Sequence, residues 1–381
     1  MPSSSEASSK AVARLATVSS HLARRGVHTA LRDLAPRFEK PLLIPFANAD
    51  EPPVSGSHVL SSWSSPPAAV LIVHKSGDAR VDRAVGKVLD YFADTYGIIR
   101  ILVEQHTADA HPTQDLVVFE PDSPDLFAQT DLVITLGGDG TMLHASSLFS
   151  QGECPPVLCF SMGSLGFLLP FPIESFIDVL RATLLGPVSI LYRMRLACTP
   201  LDKDGKVLAR CSRSHAPAGW QVMNEVALNR GRHPQLAVLD AYLNDECLTT
   251  GIADGLLLST PTGSTAYNLS SGGPIAHPEA DVLLLTPVAP RSLSFRPVVL
   301  PGSARVRLQI ANRARAPALL SLDGRDVGEL SVGESVDVRR SPWPIPCIER
   351  GGGPGTGWVK DINSLLLFNT GFVNSRTIRD R

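Results

Sequence analysis

No sign of charge dominates this chain, in which 35 Lys and Arg stand against 37 Asp and Glu over 381 residues. A near-neutral balance leaves no electrostatic footprint for nucleic acid, so a small-molecule substrate is expected instead. No apolar run is long enough to cross a bilayer as a helix, which predicts a soluble chain without a membrane partner. The six cysteines (Cys154, Cys159, Cys198, Cys211, Cys247, Cys347) are scattered, with no C-x-x-C and no adjacent histidine at ligand spacing. That pattern implies neither a zinc site nor a disulfide framework, and it predicts reduced, mostly buried thiols. Also missing is a Walker loop, because no Gly-Lys-Ser/Thr follows the glycine turn described next.

What is present is organised around Thr130 to Phe149. Asp131 to Leu136 is an apolar, β-branched run of strand length, Gly137-Gly138-Asp139-Gly140-Thr141 predicts a tight turn, and Met142 to Phe149 resumes with helix-compatible residues. Glycines let a ligand approach the backbone closely, and a helix N-terminus adds partial positive charge, so the turn suits a phosphate chain. Asp139 is the odd member. A carboxylate facing phosphates repels them unless a metal or a reacting hydroxyl lies between, which makes it a candidate base or Mg²⁺ partner. The bland alternative is an ordinary turn with Asp as a helix cap.

The first forty residues hold Lys10, Arg14, Arg24, Arg25, Arg32, Arg37 and Lys40 against Glu6, Asp33 and Glu39, with many serines and apolar residues at helical spacing. This is the composition of a mitochondrial presequence over residues 1–40; a basic tail or a helix packed on the body is the alternative. Residues 41–67, rich in Pro and Ser, read as a linker. Ala68 to His74, Ile98 to Val103, Asp131 to Leu136 and Val157 to Phe160 read as strands alternating with helical patterns such as Asp78 to Tyr96. Residues 68–186 are therefore predicted to form a doubly wound parallel α/β domain that binds ligand beyond the carboxyl ends of its strands. A second glycine turn, Gly163 to Phe167, is expected to face the same crevice as the first.

From about Pro187 the periodicity changes to short strand-like runs. Ser189 to Cys198, Gln221 to Asn229, Leu236 to Leu243, Gly255 to Ser259, Ala304 to Ile310, Ala318 to Leu322 and Ser335 to Arg339 predict a β-rich domain over residues 187–350, with hairpin turns at Asp202 to Gly205 and Asp323 to Asp326. Residues 351–381 read as a Gly-rich loop and a tail, with a helix over Trp358 to Phe368, that returns to the first domain. Asp254 to Pro278 puts small, hydroxylic and Gly residues beside Tyr267, the content of a nucleotide pocket. Its Asn268-Leu269-Ser270 sequon is read as accidental.

GGDGT after an apolar strand resembles the turn shared by NAD kinases, lipid kinases and phosphofructokinases. With DGLLLSTPTGSTAYN, the Asn224-Glu225 pair and LTPVAPRSLSFRPVVLP following in order, the chain resembles the NAD kinase family over about Ala68 to Phe372. The basic N-terminus and the ending DINSLLLFNTGF resemble its fungal mitochondrial branch. The resemblance implies transfer of the γ-phosphoryl of ATP to the 2′-hydroxyl of the adenosine ribose of NAD or NADH. Carried over residue by residue, it implies that Asp139 is the base or a Mg²⁺ ligand and that Gly137, Gly138, Gly140 and Thr141 cradle phosphates. It further implies that Asn224 and Glu225 hold the adenosine and its ribose, that Asp254 and Thr262 lie near the nicotinamide, and that Thr265, Ala266, Tyr267 and Ser270 contact adenine and ribose. Mg²⁺ is expected to arrive with ATP, and a homo-oligomer is expected. Ile252 stands where some members carry arginine. Arg291 and Arg296 are candidates either for a phosphate clamp or for ordering the β domain through carboxylates such as Asp323. His144 and His277 are read as structural or ligand-adjacent. The competing readings are a lipid or sugar kinase sharing only the turn, and a non-catalytic nucleotide sensor.

Overall fold

The computed structural model describes residues 29–30, 40–41, 43–45, 54–97, 99–120, 123, 125–150, 152–163, 166–211, 219–350 and 356–367. Its centre is the apolar run predicted as a strand, Leu132–Gly137, buried along its whole length. It lies between Ala69–His74 and Val157–Ser161, all three parallel. Arg100–Val103, Val117–Val118 and Thr29–Ala30 extend the sheet on the Ala69–His74 side, again parallel. Successive residues point to opposite faces of a strand, and here both faces are covered. Leu71 and Val73 pack beneath Met142 and Ala145 of the Asp139–Leu148 helix. Val70 and Ile72 pack under the Ala79–Thr95 and Phe176–Leu185 helices. Each such fully buried aliphatic side chain contributes about 1.5–3 kcal/mol by leaving water.

The Ala79–Thr95 helix is set by local signals that the sequence states. Asp78 caps it, its carboxylate accepting the Arg80 N–H at 3.0 Å, and Val81, Val85, Val88, Leu89 and Phe92 recur on the buried face.

The sheet is larger and more mixed than expected. Its other edge continues from Val157–Ser161 to a parallel Ile345–Glu349, then to antiparallel Val188–Arg193, His58–Trp63 and Leu43–Pro45. Two strands thus come from the stretch read as a linker, and two from the stretch read as the β-rich domain. His58–Trp63 was illegible because one of its six residues is buried; a half-exposed strand near a sheet edge tolerates Ser and His, so no apolar run marks it. Ser189 to Cys198, read as one run, is two strands, Val188–Arg193 and Leu196–Leu201, in different sheets.

Leu196–Leu201 opens the second unit. Two six-stranded antiparallel sheets face each other, and their alternate residues, among them Leu196, Cys198, Leu239, Leu308 and Val338 from one and Val226, Leu228, Leu258, Leu285 and Leu320 from the other, form one apolar core. This is a β-sandwich. The Asp323-Gly324 hairpin turn forms as predicted, with φ of 49° and 73°, the positive pair that a two-residue type I′ turn demands. The Thr356–Leu366 helix packs back on the body, and its contacts are to residues of the stretch read as the β-rich domain: its Trp358 ring lies 4.6 Å from the His277 ring, and its Asp361 pairs with Arg350 at 2.9 Å.

Of the presumed presequence, Thr29–Ala30 pairs in the sheet, and the Lys40 ammonium sits 3.2 Å over the Phe127 ring. The rest of that stretch lies outside the described residues.

Candidate functional site

The glycine turn is shorter than its sequence implies. The strand runs through Gly137, Gly138 is the N-cap, and Asp139, Gly140 and Thr141 already belong to the helix. Asp139 is therefore not a cap; it is the first helical residue. Gly138 has no side chain with which to cap the first turn; the Thr141 N–H donates to the Gly138 carbonyl at 2.8 Å, and the Asp139 and Gly140 N–H groups that lead the helix stay available to a ligand. A Cβ placed on Gly138 or Gly140 would meet nothing within 4 Å, so this side of the turn is open. Gly137 is the opposite case, since a Cβ there would fall 2.1 Å from the hydroxyl of buried Thr141.

The second glycine turn does meet the first. Asp139 Oδ1 accepts the Leu168 N–H at 3.2 Å, and the Gly166 backbone packs directly on the same carboxylate. Burial pushes the Asp139 carboxyl up, and the N–H groups of Leu168 and Phe167 and the charge of Arg193 oppose this. Arg193 is itself buried in an ion pair with Glu349 at 2.8 Å.

Across the helix lies the Asn224-Glu225 pair. Trp220–Val222 belongs to one sheet of the sandwich and Glu225–Asn229 to the other, so the chain switches sheets at Met223-Asn224. A switch breaks the ladder and orphans backbone donors. Asp323 satisfies them: its carboxylate accepts the N–H of Met223 at 2.9 Å, of Asn224 at 2.7 Å and of Glu225 at 3.2 Å. Met223 meanwhile packs into the core of the first domain with Met142 and Leu168, and Arg325 of the same hairpin donates to Ser147 Oγ and faces His144 Nδ1. The two domains meet along the Asp139–Leu148 helix. Arg195 bolts them from the other end, fully buried, donating to the carbonyls of Phe149, Gly152 and Trp343.

Ser259 to Gly263 is tied to the switch as well. Thr260 N–H donates to the Asn224 carbonyl at 2.9 Å, Thr260 Oγ1 donates to the Met223 carbonyl at 2.6 Å, and a Cβ on Gly263 would fall 2.2 Å from the Asn224 oxygen. Only glycine permits that approach. Asn268, the first residue of the sequon, is fully buried and pins the loop, donating to the Ser264 and Pro274 carbonyls while accepting from Thr286 Oγ1. It is structural.

Within this frame two buried polar atoms lack partners, Glu225 Oε2 and Thr262 Oγ1. Buried orphans cost about 1–3 kcal/mol each unless a ligand satisfies them. Burial, with the nearby Asp323 charge, holds Glu225 up at about 7, and Asp323 itself is held at about 6 by burial against its N–H donors. The Tyr267 hydroxyl reaches Asn229 Oδ1 at 3.4 Å, and burial and the charges of Asp254 and Glu225 raise its pKa. Asp254 pairs with Arg230 at 2.8 Å, so a guanidinium reaches this carboxylate although Ile252 offers none. Thr265 Oγ1 donates to the Thr262 carbonyl, Ala266 precedes the short Tyr267–Ser270 helix, and Ser270 is exposed with its hydroxyl on the Tyr267 carbonyl.

Arg291 and Arg296 are exposed and do not order the domain through Asp323, whose oxygens serve backbone donors. His144 binds Glu104 at 2.9 Å. Asp323 is the residue that the motif reading undervalued; its Asp-Gly turn was visible, but the partners of its carboxylate lie about a hundred positions away and leave no local signal.

An uncapped helix start carrying a carboxylate, set against a sandwich edge with two orphaned buried polar atoms, suits a nucleotide-dependent phosphotransferase. Residues 70–187 match the ATP-NAD kinase N-terminal domain and residues 223–350 the ATP-NAD kinase C-terminal domain. The chain belongs to the ATP-NAD kinase family. It is 41% identical to the mitochondrial NADH kinase pos5 of Schizosaccharomyces pombe over 81% of this chain and 77% of that protein. With the mitochondrial NADH kinase POS5 of Saccharomyces cerevisiae it shares 32% identity over 81% of this chain and 83% of that protein. The crystal structure of yeast NADH kinase complexed with NADH superposes with a TM-score of 0.76 at 32% identity, covering 91% of this chain and 99% of that one.

Proposed function

We infer that this chain is an NAD(H) kinase, moving the γ-phosphoryl of ATP to the 2′-hydroxyl of the adenosine ribose of NAD or NADH to give NADP or NADPH. The observation that carries this reading is the convergence of two parts on one helix, the open Asp139 turn and the Asn224-Glu225 switch with its orphaned Glu225 oxygen. On this reading the first-turn N–H groups, Gly138 and Gly140 hold the phosphates, with Gly137 and Thr141 shaping the turn behind them. Asp139, half-buried and of raised basicity, takes the proton of the attacking hydroxyl. Glu225 and Asn224 orient the ribose and adenosine, Tyr267 with Thr265, Ala266 and Ser270 forms the flat face for adenine, and Asp254 and Thr262 lie toward the nicotinamide.

Among the described residues no three His, Cys, Asp or Glu gather to hold a metal. One carboxylate at a phosphate turn fits a divalent ion that arrives on ATP, with Asp139 as its candidate protein ligand. Bound there, Mg²⁺ would neutralise phosphate charge. Leu293 is 85% exposed and Val299, on the edge strand Val298–Pro301, 55%, which supports a homo-oligomer closed over this edge. The Arg- and Ser-rich N-terminus and the mitochondrial relatives support a mitochondrial location.

The test uses the full chain, because Thr29–Ala30 and Lys40 are docked on the body. Mg·ATP with NAD or NADH should give 2′-phosphorylated product, detected with an NADP-specific coupled enzyme, and Asp139→Asn should give it more slowly by about 10³-fold or more. Folded protein that binds ATP but phosphorylates neither dinucleotide would overturn the reading.

A further inference from the structure

The Asp139 turn offers a triphosphate N–H groups and a carboxylate but no cation of its own, and the adjacent strand supplies one. Ala69–His74 runs parallel to Leu132–Gly137 with His74 opposite Leu136, which puts the next residue, Lys75, at the carboxyl end of the sheet beside Gly137. The Lys75 N–H donates to the Leu136 carbonyl at 3.1 Å, and a Cβ on Gly137 would lie 3.4 Å from Lys75 Cβ. The Lys75 carbonyl is also held, 3.2 Å from His74 Nδ1. A ring nitrogen facing a carbonyl must donate, so His74 Nε2, 2.9 Å from Thr107 Oγ1, is the acceptor of the threonine hydroxyl. Burial, the largest influence on His74, lowers its pKa and favours that neutral tautomer.

The Lys75 backbone is therefore fixed on both sides while its side chain is exposed. Among the described residues its ammonium makes no hydrogen bond or ion pair, whereas nearby cations are engaged: Arg80 with Asp78, Arg193 with Glu349, and Arg325 with Ser147 and His144. We propose that Lys75 is the cation of the phosphate turn, its ammonium contacting the terminal phosphoryl oxygens of ATP laid over Gly138 and Gly140. It does for this turn what a lysine within the loop does for a Walker motif, from a different strand. The proposal rests on reading the Asp139 turn as the triphosphate cradle.

Lys75→Ala and Lys75→Arg, made in the full chain beside wild type and Asp139→Asn, test it by initial rates with ATP and NADH varied separately. Lys75→Ala should lower kcat/KM for ATP by about 10²–10³-fold, with KM for NADH within about twofold and Tm unchanged, and Lys75→Arg should recover about tenfold of the loss. Active wild type with Lys75→Ala within about twofold of it in every parameter would remove Lys75 from the site while leaving the turn's assignment intact. A loss accompanied by a lowered Tm and no rescue by arginine would make Lys75 structural and overturn the proposal. Inactive wild type would bring down the cradle reading, and this proposal with it.

Discussion

Asp139 and Asp323 both sit at a glycine turn at the end of a strand; the first turn opens the Asp139–Leu148 helix, and the second lies against it. The first leaves Gly138 and Gly140 open to solvent, and its carboxylate takes a backbone donor from one neighbouring loop. The second is closed, and its carboxylate is spent on three donors of a chain that is changing sheets. Burial raises both carboxyls. What separates them is where the compensating hydrogen bonds come from. At Asp323 the protein supplies them all, which makes a frame; at Asp139 room is left for a ligand, which makes a reacting group.

Exchanging the two carboxylates for amides or alanine sharpens this contrast, and the largest effect is expected at Asp139. Asp139→Asn keeps the shape and one acceptor but cannot take a proton, so kcat should fall by about 10³-fold or more. Stability should not fall with it. A carboxyl whose folded pKa is raised contributes its stability at low pH and loses that contribution as pH rises through the folded value, so at neutral pH the amide relieves a buried charge. A melt at pH 7.5 showing Tm equal to or above wild type, beside a nearly dead enzyme, is the expected pair of results.

Asp323→Ala reverses the pattern. Three buried N–H groups lose their acceptor, at a cost of about 3 kcal/mol or more in a urea melt. Asp323→Asn should lose less, because one oxygen still accepts and asparagine tolerates the φ of 49° found here. If Asp323→Ala melted like wild type but lost activity, the division into frame and reacting group would be wrong.

The same contrast explains what the chain disclosed before it was folded. The parallel strands, the capped Ala79–Thr95 helix, the Asp-Gly hairpin and the glycine turn are signals written within a few residues, and apolar runs such as Leu132–Gly137 are buried on both faces and leave little ambiguity. The site motifs were legible for a similar reason, being short and ordered along the chain. What was illegible is assembled across distance: His58–Trp63 and Val188–Arg193 recruited to the sheet edge, the break at Met223-Asn224 inside an apparently continuous run, and Arg195 and Asp323 serving carbonyls and N–H groups of remote segments. A buried arginine looks like a surface one until its carbonyl partners are known.

Glu225 falls between the two aspartates, buried like Asp323 yet with one oxygen unpaired. Held up at about 7 by burial and the Asp323 charge, it contributes stability below its unfolded value near 4.5 and loses it as pH rises through about 7. Glu225→Gln should therefore stabilise the empty enzyme above pH 7 by about 1–3 kcal/mol and change little at pH 5. Ribose hydroxyls donate to the ionised form, so KM for the dinucleotide should fall in wild type between pH 6 and 8 and stay flat, and about tenfold higher, in the glutamine variant. Parallel pH profiles for the two enzymes would place Glu225 with the frame.

Tyr267 should show the smallest effect, because it contributes a surface to binding and no charge to the reaction. Its hydroxyl makes one long bond, 3.4 Å to Asn229 Oδ1, which Tyr267→Phe deletes at a cost of a few tenths of a kcal/mol, so that variant should be close to wild type. Tyr267→Ala removes the flat apolar face, and KM for NADH should rise about tenfold while kcat stays within about threefold, the signature of binding lost equally from ground and transition states. The measurement separates two kinds of help. If kcat instead collapsed with KM unchanged, the ring would be setting the angle at which the 2′-hydroxyl meets Asp139, and the sandwich would share in the chemistry that the α/β domain otherwise performs alone.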